Sequence, residues 1–372
     1  MTIRKNRILS LDSLLLVLTL IALVCLILSY FSPFANPKTY RFIPLFGLFY
    51  PAILLSVGLA LTYWLLRKRW KTSIFILLIL LIGLPFHARF FATSSSRQDD
   101  TTRFISIMSY NVRLFDVYNW FERGDTTKQD IFNYLETTNT DIVCFQEYYY
   151  ENEPTNFETT QKISRILNAP YHYGRYTSGS KGKTHFGVMT ISKFPIVETG
   201  YVDLNSAASN HCIYTDIIKD SIRFRVYNLH IGSIQIQDDE YDLFSDKPNS
   251  LEEDKAVRSK RLLGRLLGAF RKRKDQVEAI LTHSQNSPYP VIICGDFNDT
   301  PLSHAYHRFY GLYQDAFLAA GSGIGTTYAG KIPANRIDFI FYDNTFNALT
   351  FHIQKEVYSD HRAIWTELEL SH

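Results

Sequence analysis

Apolar and polar positions follow two different patterns along the chain, and the change falls near residue 100. Residues 13–31 are almost wholly Leu, Ile and Val, and the pattern returns at 42–66 and 73–91. The third run is the weakest: its clean apolar core stops near Phe86, before His87 and Arg89. A bilayer core of about 30 Å takes roughly 20 such residues as a helix. The pattern therefore predicts a transmembrane segment over 1–92 with about three helices (13–31, 42–66, 73–91). A cleaved signal peptide fits poorly, because two more apolar runs follow and no small-residue cleavage site succeeds the first. Residues 93–102, TSSSRQDDTT, have no apolar period and read as a linker.

From Arg103 the period changes. Short apolar runs, expected as strands, occur at 104–110, 141–145, 186–192, 212–218, 224–229, 291–294, 339–342 and 363–368. Helical spacing appears at 127–137, 157–167 and 250–282. Strands predominate and helices intervene singly, which predicts one layered α/β domain over 103–372.

Charge sharpens the division. Residues 1–97 hold 11 Lys or Arg and one acid, Asp12, leaving 28 basic and 35 acidic residues beyond, a net −7. An acidic domain argues against general attraction for nucleic acid. Arg4, Lys5 and Arg7 before the first apolar run and Arg67–Lys71 after the second fall on one side if three helices cross, which puts the domain outside the cytoplasm of a multi-pass inner-membrane protein. If the third run does not cross, the domain stays inside. The four cysteines lack metal-ligand or CxxC spacing and read as free thiols.

Candidate chemistry sits where strands stop. VIICGDFNDT (291–300) is a buried strand followed by Asp296 and Asn298, two residues apart and so on one face of an extended chain. As a turn, GDFND would mean nothing more, since Gly, Asp and Asn are common turn residues. Yet Asn111, Glu147, Asn228 with His230, and Asp360 with His361 also end apolar strands, and Asp338 lies in RIDFI. Singly, Glu147 reads as a surface acid, His230 as a core histidine and Asp338 as a partner for Arg336. Together, six strand ends bearing amides, carboxylates and imidazoles describe an oxygen-rich site for a hard cation.

In that order, SYNVR (109–113), DIVCFQE (141–147), GVMTISKFPI (187–196), YNLH (227–230), ICGDFN (293–298), RIDFI (336–340) and SDHRAI (359–364) resemble the motifs of the endonuclease/exonuclease/phosphatase family of metal-dependent phosphoesterases. The resemblance covers Arg103 to the C-terminus. It implies a four-layer α/β sandwich, two mixed β-sheets face to face with helices outside. It implies a Mg2+ site, with Mn2+ as substitute, on Asn111, Glu147, Asp296 and Asp360. Asp296 is suited to deprotonate the attacking water. Asn228, His230, Asn298 and His361 would hold substrate phosphate, and Asp338 would orient His361.

The substrate class stays open at this stage. A tether near a bilayer and an acidic domain favour a phospholipid or small phosphoester over a nucleic acid. The alternatives are a membrane-attached nuclease and a phospholigand-binding receptor without turnover; no obligate protein partner is implied. Nine basic residues and no acid in 255–274 suit either anionic lipid or a solvated helix face, with solvation favoured. Residues 233–248 read as a lid or substrate-selecting loop, 321–330 as a mobile loop beside the site, and Tyr148–Tyr150 as cleft lining or packing. His185 and His211 read as structural.

Overall fold

The computed structural model describes residues 11–94, 104–118, 126–152, 157–178, 183–204, 210–232, 252–330 and 336–370. The expected loop 233–248, the basic cluster at 4–7 and linker residues 95–102 lie outside them. The chain divides into two compact units, Met1–Arg89 with Leu302–His304, and Phe90–Pro301 with Ala305–His372.

The first unit holds α1 (Leu11–Phe31), α2 (Ile43–Leu48), α3 (Tyr50–Leu66), α4 (Trp70–Ile82) and α5 (Leu84–His87). Among the described residues α1 is the one helix long and apolar enough to cross a membrane. Only 28% of its most apolar window is buried, unlike the core helix of a water-soluble protein. The expected second and third spans are each broken. Proline sits in the first turns of α2, α3 and α5, where its missing N–H costs nothing, and so marks new helix starts after Phe49 and Gly83. The resulting α3 and α4, 17 and 13 residues long, rise roughly 26 and 20 Å, short of the ~30 Å core. Asp12 accepts from Tyr63 and Arg67 at 2.7 and 2.9 Å, so α1 and α3 run antiparallel with their charged ends together.

The second unit carries strands β1 (Phe91–Thr93), β2 (Phe104–Asn111), β3 (Ile142–Glu151), β4 (Tyr171–Ser178), β5 (Thr184–Ser192), β6 (Ile196–Tyr201), β7 (His211–Lys219), β8 (Ile222–His230), β9 (Val291–Asp296), β10 (Gln314–Asp315), β11 (Ser322–Ile324), β12 (Asp338–Tyr342), β13 (Phe346–Ile353) and β14 (Ile364–Leu370). Its helices are α6 (Thr126–Thr138), α7 (Thr159–Ile166), α8 (Glu252–Gln285), α9 (His304–Tyr310) and α10 (Ala316–Ala320). Two six-stranded sheets form, in the orders β13-β14-β2-β3-β5-β4 and β10-β12-β9-β8-β7-β6. Each is mixed: β2–β3 and β8–β9 are parallel, their other pairs antiparallel.

The core explains the layering. Ile107, Cys144, Val226, Ile292, Cys294, Ile340 and Ile364 interdigitate between the sheets. The outer face of the first sheet buries Ile131, Phe132 and Leu135 of α6, spaced to share one helix face. The outer face of the second buries Val277, Ile280 and Leu281 of α8. Each fully buried side chain of this size contributes about 1.5–3 kcal/mol. The arrangement is the expected four-layer sandwich.

Two loop expectations change. Residue 93 belongs to a strand, β1, which pairs with β11. The stretch 321–330 is not a mobile loop: Ser322–Ile324 is β11, Thr327 O accepts from Arg362 N at 2.7 Å, and Ala329 N donates to Asp360 O at 2.7 Å. Satisfied backbone groups hold it beside the last site strand.

Candidate active site at the strand ends

The expected site residues come together at the C-terminal ends of β2, β3, β8 and β9 and beside β12 and β14. Asp296 Oδ2 is the hub. It accepts from Asn111 Nδ2 at 3.0 Å and Asn298 Nδ2 at 3.1 Å, and lies 3.6 Å from His230 Nε2 and 3.7 Å from His361 Nε2. Its Oδ1 takes the Asn298 backbone N–H at 2.8 Å. Glu147 Oε1 stands 3.7 Å from His230 Nε2. His361 Nδ1 donates to the Asp338 carboxylate, with oxygens at 3.0 and 3.1 Å. Asp360 Oδ2 lies 3.6 Å from Arg113 Nε.

Local backbone explains the aim of these groups. β8 and β9 run parallel and so close that a Cβ at Gly295 would stand 2.0 Å from Leu229 O; only glycine fits there, at φ +154. Asn298 then turns left-handed, φ +51, which brings its amide back over Asp296. In β3 the register shifts between Phe145 and Tyr148, and Glu147 adopts φ +47. A bulge re-aims a side chain that an even strand would point elsewhere, and left-handed non-glycine backbone costs roughly 1–3 kcal/mol.

Electrostatics follow from burial. Asp296 is 1% exposed, while the Glu147 side chain is 33% exposed. Burial pushes both carboxyls above their ordinary range, and the imidazoles of His230 and His361 only partly offset it. His361 is also pulled down by burial, but Asp338 and Asp296 outweigh that and hold it well above its usual value. With Nδ1 bonded to Asp338, Nε2 is left facing Asp296 at 3.7 Å.

The donor set fits a hard divalent cation. Glu147 and Asp296 are crowded carboxylates whose ion-pair partners among the described residues are imidazoles, not Lys or Arg. Asn111 Oδ1 accepts one N–H, from Arg113 at 3.1 Å, leaving a lone pair for an ion. Asp296, Asp338 and His361 also place potential ligand atoms within 4.8 Å of one another.

One expected site residue is a correction. Asn228, assigned to substrate phosphate, is fully buried, and its amide is spent inside the protein. Nδ2 donates to Met189 O at 2.9 Å and Phe145 O at 3.2 Å, and Oδ1 accepts from Gln146 Nε2 at 2.8 Å. It ties β8 to β3 and β5 across the sheet interface. Arg336 does not pair with Asp338; it pairs with buried Asp315. Tyr148 is core, packed on Phe115 and Phe145.

Tyr328 was missed. Its ring meets the His361 ring edge-on at 5.3 Å, and its backbone bridges to the same residue. Nothing in its loop's residue pattern signals this. Ser359 and Arg113 were in recognised motifs without a role. Ser359 Oγ donates to Asn111 O at 2.8 Å, tying the strand ends together, and Arg113 flanks Asp360. Elsewhere, a cleft of about 600 Å³ lined by Tyr201, Asp203, Arg225, Glu278 and His283 opens near the opposite end of β8.

Facing sheets that deliver carboxylates, amides and imidazoles to one cation-sized cluster define a metal-dependent hydrolase of phosphoesters. The chain belongs to the endonuclease/exonuclease/phosphatase family, whose model matches residues 108–361. Members hydrolyse phosphoester bonds, generally with divalent metals, and this chain is a hydrolase of ester bonds. A model described as a domain of unknown function matches residues 12–90. No curated protein matches significantly. Among solved structures the chain is similar to the endonuclease/exonuclease/phosphatase from Bacteroides vulgatus, at 18% identity and TM-score 0.52, covering 72% of this chain and 99% of that one. It is similar to the human Nocturnin catalytic domain with bound sulfate, at 16% and 0.52, covering 73% and 96%. It is also similar to a mannosyl-6-phosphatase of Bacteroides thetaiotaomicron, at 17% and 0.50, covering 71% and 99%. At these identities the likeness concerns the fold.

Proposed function

We propose that residues 103–372 are the catalytic domain of a membrane-tethered phosphoesterase that cleaves a P–O bond by in-line attack of water. The observation that carries this is the convergence of four polar groups on Asp296 Oδ2, all within 3.7 Å. Asp296 orients the attacking water and takes its proton. Asn298 holds that carboxylate through its backbone and side-chain N–H groups. His230 and His361 donate hydrogen bonds to phosphoryl oxygens, stabilising charge that grows toward the transition state. Asp338 fixes the His361 ring with Nε2 facing the substrate. Glu147, Asp296 and Asp360, with Asn111 beside them, would hold Mg2+ or Mn2+, which supplies positive charge to the phosphoryl oxygens.

The substrate we favour is a phospholipid or other small phosphoester. The net −7 beyond residue 97 works against a polyanion, and α1 is long enough to hold the domain at a bilayer. The test uses the full chain in detergent with Mg2+, against bis(p-nitrophenyl) phosphate, phospholipids, sugar phosphates, DNA and RNA. Asp296→Asn and His361→Ala should each lose at least about a hundredfold in kcat. Activity that survives both overturns the assignment, and turnover confined to DNA or RNA selects a nuclease. Labelling of Ser94→Cys by an impermeant maleimide in intact cells places the domain outside; protection places it inside.

A further inference from the structure

Of the eight basic residues in 258–274, one is turned into the protein. Arg273 of α8 is 1% exposed. Its Nη1 donates to Asp299 Oδ2, and its Nη2 donates to the backbone O of Gly232 at 3.1 Å. Gly232 lies two residues past His230, and Asp299 directly follows Asn298. Between these points the Ile231 N–H donates to Asp296 O at 3.1 Å. The guanidinium thus closes a ring of contacts around the roots of both active-site segments. The fit is tight: Gly232 adopts φ +63, and a Cβ there would stand 2.2 Å from Arg273 Nε.

A buried ion pair is a poor means of holding a helix on a sheet. Desolvation offsets most of its attraction, and well-packed apolar replacements are often as stable or more so. What a planar guanidinium does that apolar contact does not is set distance and angle between two acceptors at once. Here the two acceptors belong to the segments that carry His230 and the Asp296–Asn298 pair. We propose that Arg273 is a positioning residue: through Gly232 and Asp299 it sets the spacing of His230 against Asp296, 3.6 Å between Nε2 and Oδ2. Misplacement on the ångström scale costs up to about a hundredfold in rate.

The kinetic arm of the test rests on the phosphoesterase reading; an exchange arm does not. The full chain in detergent with Mg2+ is compared with Arg273→Lys and with the apolar pair Arg273→Met/Asp299→Leu. The double variant should melt within a few degrees of the parent. Its kcat on bis(p-nitrophenyl) phosphate should fall at least about tenfold with KM within about threefold, and amide exchange at Ile231 and Asn298 should quicken at least about tenfold while that of β2 stays unchanged. Arg273→Lys should fall between, since one ammonium cannot hold both acceptors in the same geometry. A lowered melting temperature with parental kcat and exchange makes the residue merely structural and overturns the proposal. If the double variant does not fold, Arg273→Lys decides by the same readouts. If the parent hydrolyses no ester, the functional reading fails, and unchanged exchange at Ile231 and Asn298 would still sink the clamp.

Discussion

Asp338→Asn is the most informative single change, because it alters charge and almost nothing else. Both residues of the pair are buried, and His361 Nδ1 lies 3.0 and 3.1 Å from the two Asp338 oxygens. The amide fills the same volume, so packing is preserved. What is lost is a charge-assisted hydrogen bond, about 1.5–3 kcal/mol. The amide also offers an N–H donor, which can turn the ring to the wrong tautomer and withdraw Nε2–H from the substrate side. At 1.36 kcal/mol per decade, the hydrogen bond alone predicts a loss of kcat of about 10- to 150-fold, more if the tautomer changes. In the proposed mechanism His361 Nε2 acts on phosphoryl oxygens whose charge grows toward the transition state, so KM should move less than about threefold. Steady-state kinetics with Mg2+ and a melting curve on the same sample suffice. A variant with parental melting temperature and kcat within threefold would refute the idea that Asp338 orients His361.

Three further outcomes follow from the geometry. Mg2+ should raise the melting temperature of the parent by mass action, and Glu147→Gln should abolish most of that rise and increase the half-saturating metal concentration at least about tenfold; an unchanged shift removes Glu147 from the metal set. Asp315→Ala should cost about 3–5 kcal/mol in denaturant unfolding, because it strands Arg336, whose guanidinium is buried among Tyr306, Phe317 and Phe339; a loss under 1 kcal/mol would contradict the burial argument. His283, hydrogen-bonded to Tyr227 at 2.8 Å, is held below its ordinary value by burial. The unfolded chain then takes up its proton first, so this contribution is full above about pH 6.5 and is lost as pH falls through the folded value. His283→Gln should flatten the acid-side decline in unfolding midpoint between pH 7.5 and 5; an unaltered slope would show that other groups set it.

Much of the candidate site is legible in the sequence. Asn111, Glu147, His230, Asp296, Asn298, Asp360 and His361 end or follow apolar strands, and a polar residue that stops a buried strand has few dull explanations once six occur in one chain. Asn228 misled because it precedes His230 by two and shares its face. That parity is correct, but the residue sits one step deeper, where Gln146, Phe145 and Met189 absorb its amide. The broken second and third apolar runs had their signal in Pro44, Pro51 and Pro85, since proline in a first turn opens a new helix.

Residue order alone marked the strands that carry the site and what chemistry stands at their ends, because side-chain period and hydrophobicity are local properties; β4, β6 and β13 were not among the strands it marked. Only the tertiary structure decided that β2 lies beside β3 and β14, that a bulge turns Glu147 toward His230, that Tyr328 meets His361, and that Arg273 joins Gly232 to Asp299 behind the site. A period of two says which way a residue points and nothing about what comes to meet it. Partner choice is settled by packing and backbone hydrogen bonding over the whole domain.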